Sequence, residues 1–273
     1  MSTILDTIAA ATRKRVAAAK ASLPPEELRE QCAALGPGAG DAFLQALQKP
    51  EFSFICEVKK ASPSKGVIDP DFDYLGIARA YEAAGADCMS CLTEPQWFMG
   101  SDQIFSEIRS CVATPMIRKD FTVDEYQIYQ ARAMNANAVL LICSLLSEST
   151  LQRYLELAHS LGLAALVETH DAAEIEQAVR VGARIIGVNN RNLKDFTVDF
   201  ENAKRLRSLI PAECVYVAES GVKGPQDVAT VAAIGANGAL IGEALMRSQD
   251  KAATLAGFRK AAAQASAGQE ALQ

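Results

Sequence analysis

The sequence predicts an α/β protein, a (β/α)8 TIM barrel preceded by an N-terminal helical extension. Three observations predict it. From residue 53 onward, short apolar runs alternate with amphipathic helical patterns eight times, and such alternation demands crossover connections and hence a parallel sheet. Most of these runs are apolar on both parities, as parallel strands buried on both faces require. The entries to several runs are alike: AAGADCMS (83–90), AMNANAVLL (133–141), VGARIIGV (181–188) and IGANGALIG (234–242). In each, Gly or Asn ends a helix in the left-handed conformation and a small residue opens the next strand. A doubly wound open sheet is the alternative fold, but it gives no reason for so even a repeat.

Residues 2–48 read as helical, with Ser2 or Thr3 capping the first helix. Leu23-Pro24-Pro25-Glu26-Glu27 stops that helix and starts another, since Pro suits the first helical turn. GPGAGD (36–41) is a glycine-rich turn into a short helix; it follows no strand, so it is not a dinucleotide-binding loop. The periodicity then predicts strands at 53–59, 87–93, 115–119, 138–144, 164–168, 184–189, 214–219 and 238–242. Helices fall at about 71–84, 101–111, 123–134, 147–161, 171–181, 199–208 and 224–235, with a last one near 250–266. The tail from about 266, SAGQEALQ, reads as frayed. Residues 1–273 read as a single domain.

Composition sets the limits on function. The 273 residues are 49% apolar and 22% charged, the balance of an ordinary globular enzyme rather than of a disordered chain. The net charge of −6, with no basic stripe of interleaved aromatics, argues against nucleic acid as a partner. No apolar run approaches the roughly 20 residues that span a bilayer, and MSTILDTIAAATRKRV is not in signal-peptide order. Seven cysteines, an odd number spread through apolar segments, suit reduced thiols in the cytoplasm. Cys88 and Cys91 form a CxxC, but within a strand-like run, so they read as core. The two histidines, His159 and His170, are too few for a multi-histidine metal site, and no carboxylate cluster near either has ligand spacing. His159 reads as helix surface. His170 follows a strand end, where core filling and lining of a site both remain open. The helix exteriors show no large apolar patch, so a monomer or weak homodimer is expected.

In such a barrel the active site lies at the C-terminal ends of the strands. Those ends carry Glu57 and Lys59, Lys119, Glu168, Asn189 and Arg191, Glu219-Ser220-Gly221, and Gly242-Glu243. Side chains two apart point the same way. Phe54, Cys56 and Val58 face the helices, so Ile55, Glu57 and Lys59 face the interior; Lys119, Glu168, Asn189 and Arg191 follow by the same parity. One strand-end charge is as often a solvated rim as a catalyst. Five strands delivering ionisable or amide groups to one rim point to general acid and base chemistry. Arg118 has outward parity and should pair with a helix carboxylate. Gly221 and Gly242 are ordinary turn residues or, the favoured reading, leave backbone N–H groups free to approach a phosphate. The polar loop Ser62–Gly66 can add donors. Trp97, Phe98 and Phe121 can wall a pocket for a flat aromatic group or serve simply as core.

ICEVKKASPSKGVI (55–68), with its E-x-K-x-x-SPS core, resembles the signature of the indole-3-glycerol phosphate synthase family. LTEPQWFMGS (92–101), MIRKDFTVDEYQI (116–128), LVETHD (166–171), IGVNNRNL (186–193), VAESGV (217–222) and LIGEALMR (240–247) are similar to that family's segments in order and interval, with no departure at a motif position. The resemblance implies that residues 1–48 form an extension over the barrel mouth. It implies ring closure of 1-(2-carboxyphenylamino)-1-deoxyribulose 5-phosphate to indole-3-glycerol phosphate, CO2 and water in tryptophan biosynthesis, with no cofactor and no metal. The chain is too short for a fusion with phosphoribosylanthranilate isomerase.

The resemblance also implies roles. Lys119 is the general acid. Lys59 holds the substrate carboxylate and can supply the dehydration proton, the division between the two lysines being open. Glu168 is the base or proton shuttle and Glu57 tunes the lysines. Asn189, Arg191, Glu219 and Ser220 position the anthranilate and hydroxyl groups, Gly221 and Gly242 bind phosphate with Ser62 and Glu243 beside them, and Phe98 and Phe121 pack on the ring. Two rivals are a related phosphosugar barrel, such as phosphoribosylanthranilate isomerase, and a catalytically silent scaffold. The first typically needs a Cys/Asp pair, whereas Cys56 has outward parity; the second should have lost one of Glu57, Lys59, Lys119 or Glu168.

Overall fold

The computed structural model describes residues 3–191 and 197–270. Eight parallel strands form a closed barrel: β1 (Ser53–Val58), β2 (Cys88–Leu92), β3 (Met116–Lys119), β4 (Ala138–Ile142), β5 (Ala164–Thr169), β6 (Ile185–Asn189), β7 (Val215–Glu219) and β8 (Gly238–Ile241). Each strand pairs with its chain neighbours, and β8 pairs back onto β1 through Ser53–Gly238 and Phe54–Ala239. Closure removes both sheet edges and decides against the open sheet.

The strand parity read from sequence is the parity of the barrel. Ile55, Ile117, Leu140, Leu166, Val217 and Leu240 fill the interior. Phe54, Cys56, Met89, Val139, Val167 and Ile186 face the surrounding helices. Cys88 is interior and Cys91 exterior, so this CxxC straddles a strand and both thiols are buried packing groups. Arg118, 2% exposed, points outward; its Nη2 lies 2.8 Å from Asp102 at the start of helix α5 (Asp102–Cys111) and 3.2 Å from Asp120.

Boundaries differ where local hydrogen bonding changes. β4 stops at Ile142 because Cys143–Leu145 turn into a 3-10 helix. The polar loop after β1 is a small antiparallel ribbon, Ala61–Ser62 against Gly66–Val67, turned by Gly66 at φ 64°. The last helix, α12 (Lys251–Glu270), runs into the segment that reads as frayed in sequence; residues 271–273 of that segment lie outside the described residues.

The extension divides its three helices between the two ends and the side of the barrel. Thr3 caps α1 (Ile4–Ser22) through a capping box with Asp6; Ser2, the other candidate, lies outside the described residues. Ile4, Leu5 and Ile8 of α1 line the mouth. The α2 helix (Pro25–Ala34) packs Leu28 and Cys32 against Tyr126 of α6 (Glu125–Ala133). The α3 helix (Gly40–Gln48) closes the opposite end, with Phe43, Leu44 and Leu47 in the interior core. Ser53 Oγ donates to Ala46 O at 2.8 Å, and Gly40 N–H donates to Gly162 O at 2.8 Å. An extension wholly over the mouth is therefore corrected: only α1 covers it. The apolar face of α3 needs an apolar partner, and the strand starts supply one. Glycine is required in this turn, because a Cβ on Gly38 or Gly40 would strike the backbone at Gly162–Ala164.

Three ion pairs fasten the extension to the segment after β3: Arg15–Asp120 at 2.7 Å, Lys20–Asp124 at 2.7 Å and Arg29–Glu125 at 3.0 Å. The Asp120 carboxylate is buried and also accepts from Thr93 Oγ1 at 2.9 Å. The outer two pairs are half-exposed and contribute little on their own.

Candidate active site

The C-terminal strand ends open into a chamber of ≈ 900 Å³, roofed in part by α1. Glu57, Lys59, Ser62, Phe98, Lys119, Phe121, Glu168, Asn189, Arg191, Glu219, Ser220, Gly221, Gly242 and Glu243 all line it. Trp97 does not. Its N–H and those of Gln96 and Phe98 donate to the buried Glu94 carboxylate, at 2.7, 2.9 and 3.0 Å, a turn that presents Phe98. Phe98 and Phe121 form a tilted pair with ring centroids 5.9 Å apart, an aromatic wall.

Lys119 stands at the centre of the charge. Its Nζ lies 3.4 Å from Glu168 Oε2 and 3.3 Å from Glu219 Oε2. Burial pulls the ammonium down, but Glu219, Glu168 and Glu57 outweigh it and hold Lys119 protonated well beyond the ordinary lysine range. The two carboxylates respond differently. Burial pushes Glu168 up, yet Lys119, His170 and Asn189, whose Nδ2 donates to Oε1 at 3.0 Å, hold it ionised and far below its usual value. Burial pushes Glu219 up, Lys119 offsets this only in part and Glu168 and Glu57 add to it, so the carboxyl is raised to about 7. Glu219 Oε1 is buried with no hydrogen-bond partner. It sits where a Cβ on Gly187 would be, so the glycine of β6 makes room for it. Lys59 pairs directly with Glu57. Gly242 likewise lacks the side chain that would collide with both.

The opposite wall combines left-handed turns with basic side chains. Ser220 and Gly221 have φ of 65° and 93°, a left-handed turn that strains the non-glycine residue and marks a constrained site. Gly242 leads into the short helix α11 (Glu243–Arg247). Lys65, Lys223 and Arg247 line the chamber here; Glu243 Oε1 meets Lys65 Nζ at 3.6 Å and Arg247 Nε at 3.2 Å.

Sequence reading missed the apolar roof of Ile4, Leu5 and Ile8, the buried Asp120 and the cations Lys223 and Arg247. Those two cations had a signal, since each is a basic residue within a few positions of an expected phosphate glycine. The roof had none, because nothing local in the sequence says where α1 lands. His170 joins the site only indirectly, behind Glu168. Arg191 N–H donates to Asn189 Oδ1 at 3.0 Å, whereas Asn192 and Leu193, the end of the same motif, lie outside the described residues.

A family model described as indole-3-glycerol phosphate synthase matches residues 5–258. The chain belongs to the indole-3-glycerol phosphate synthase family. A relative from Ruminiclostridium cellulolyticum of that name is 49% identical over 259 residues, 95% of this chain and 100% of the relative. One from Leuconostoc mesenteroides subsp. mesenteroides is 46% identical, covering 94% and 98%. Among solved structures, the 3-hexulose-6-phosphate synthase of Salmonella typhimurium superposes with a TM-score of 0.64 at 11% identity, covering 78% of this chain and 100% of that one. The tryptophan synthase alpha chain of Legionella pneumophila subsp. pneumophila gives 0.61 at 14% identity, covering 84% and 98%. At such identities the structural likeness shows the barrel alone. The family is one of carboxy-lyases in tryptophan biosynthesis, so the isomerase and scaffold readings are not favoured.

Proposed function

We propose that Lys119 is the general acid of the family's reaction, the decarboxylating and dehydrating ring closure of 1-(2-carboxyphenylamino)-1-deoxyribulose 5-phosphate to indole-3-glycerol phosphate. The observation that carries this role is the Lys119 ammonium held between Glu168 and Glu219 at the centre of the chamber. The ring carbon bearing the carboxylate attacks the ribulosyl carbonyl carbon, and the carbonyl oxygen takes the proton from Lys119. An alkoxide is a far stronger base than either neighbouring carboxylate, so the proton moves only as that oxygen develops charge. Loss of CO2 restores the aromatic ring. The new hydroxyl then leaves as water with a proton from Lys59, while Glu168 takes the proton that the ring gives up. Two protons are donated and one is taken back, so each turnover draws one proton from solvent.

The remaining roles follow the geometry. Lys59, with Glu57 at its side, also holds the substrate carboxylate before it leaves. The unpartnered Glu219 Oε1 accepts from a substrate hydroxyl or N–H, with Asn189, Arg191 and Ser220 fixing the rest. Gly221 and Gly242 offer backbone N–H groups to the phosphate; Ser62 adds a donor, and Glu243 keeps Lys65 and Arg247 within reach. Phe98 and Phe121 flank the ring. A positioned acid or base accounts for about 10²–10⁴-fold each; folding an extended substrate into a near-attack shape supplies more. Mixing the purified protein with the substrate, chelator present, should give rising indole fluorescence, abolished in Lys119→Ala. No signal from a folded protein that binds the substrate would overturn the reading.

The chain works as one domain, a monomer or weak homodimer in the cytoplasm. All seven cysteines are free, and the large apolar residues exposed among the described ones, Leu35, Val67, Met99 and Leu209, are scattered. No helix of the described residues is long and apolar enough to cross a membrane. Sedimentation equilibrium should return the monomer mass or a weak, concentration-dependent dimer, and calorimetry a single unfolding transition.

A further inference from the structure

We propose that His170, held by Glu174, is a positioning residue for Glu168, keeping its carboxylate anionic and turned so that Oε2 meets Lys119. The inference rests on the reading of Glu168 as the base. His170 does not line the chamber and acts only through Glu168. Glu174 Oε2 accepts from the His170 backbone N–H at 2.8 Å and lies 3.0 Å from ring Nδ1. Asn202 Nδ2 donates to the His170 carbonyl at 3.1 Å. With Nδ1 engaged there, Nε2 is the atom left to face Glu168. It is buried, makes no hydrogen bond, and lies at ion-pair range, 3.4 Å, from Oε1. This carboxylate–imidazole–carboxylate line places an outer acid to fix the ring and an imidazole to fix the inner acid, the support that catalytic groups draw from a neighbouring shell.

The other groups around this line leave His170 as its cation. Glu174 stands on the ring's outer side, Asp171 is near in the same turn, and Cys143 is pushed up to about 12 by burial and then by Glu174, Glu168 and Asp171. Across Glu168 stand Lys119 and Glu219, with Glu57 beyond them. Burial pulls the imidazole down, yet Glu168 and Glu174 raise it to about 10, so it is charged throughout the neutral range. Removing that charge must raise the Glu168 pKa, and the acid limb of the kcat profile must move to higher pH.

The test is the pH dependence of kcat in His170→Gln and Glu174→Gln, with the imidazole nitrogen shifts of His170 read by NMR. An opposite charge at this range shifts a carboxyl by 1–3 units. His170→Gln should therefore move the acid limb up by about one unit; at pH 7, where Glu168 stays ionised, it should lower kcat about tenfold through lost orientation of the carboxylate, with KM within about twofold. Glu174→Gln should move it the same way by less, and the double variant no further than His170→Gln alone. The nitrogen shifts should report a doubly protonated ring at neutral pH. A neutral ring, or an acid limb unmoved in both variants while Glu168→Gln is inactive, overturns this proposal alone. A Glu168→Gln variant with near-normal turnover overturns the reading beneath it.

Discussion

At the floor of the barrel, α3 sets Phe43, Leu44 and Leu47 against the interior strand residues and is tied there by its Gly40 N–H to Gly162 O and by the Ser53 hydroxyl of β1 donating to Ala46 O. At the mouth, the other ends of the same strands bring Glu57, Glu168 and Glu219 together with Lys59 and Lys119, and one carboxylate oxygen has no partner. The floor satisfies packing and polar groups locally. The mouth holds charge in a partly dry space and leaves acceptor capacity unused. One set of eight strands thus separates the residues that hold the fold from those that await a ligand.

That contrast breaks most readily at its two extremes. Lys119→Ala should lower kcat by about 10²–10⁴-fold while circular dichroism still reports a folded barrel; near-normal turnover would remove the lysine from its role. Phe43→Ala, at the floor, should cost about 3–5 kcal/mol in denaturant unfolding and leave kcat unchanged. A large loss of activity in the still-folded Phe43 variant would show that floor and mouth are not separable. Lys59→Ala should raise KM about tenfold and lower kcat as well, through loss of a charge-assisted bond to the substrate carboxylate; an unchanged KM would contradict that contact.

The smallest effect sharpens the contrast in stability. Glu219 ordinarily titrates at 4.5 and is raised to about 7 in the fold. Between those values the folded chain keeps a proton that the unfolded chain has lost, so stability falls as pH rises through the window. Glu219→Gln should lift Tm by a few degrees near pH 8 and leave it unchanged near pH 4, while weakening activity. A lower Tm near pH 8 would mean that Lys119 needs Glu219 for the fold.

Much of this was legible in sequence because it is local. Alternation within SFICEVK places Glu57 and Lys59 inside and Cys56 outside. Within MIRK it sends Lys119 into the chamber and Arg118 out to Asp102, as expected from parity. The repeated Gly or Asn before a small residue marks the strand entries, and the left-handed Gly85, Asn135, Gly182 and Gly235 confirm them. What sequence did not show depends on contacts between distant segments. The positions of α1 and α3 at opposite ends are set by apolar faces that match any open core. The link from His170 to Glu168 is adjacent in sequence, yet the two sit at the turn where strand alternation ends, so parity gave no answer.

The ladder of ion pairs between the extension and the segment after β3 also bears on how the chain is made. Arg15 and Asp120 are 105 residues apart. A ribosome adding about 5–20 residues per second leaves α1 waiting several seconds for its docking site. Throughout that interval Leu5, Ile8 and Leu28 have no complete barrel to cover them: β1 can pair with β2 once Cys88–Leu92 has been made, but its other edge stays open until Gly238 has been synthesised. The nascent extension is therefore the segment most in need of shelter during translation, and slow codons before residue 120 would lengthen its exposure.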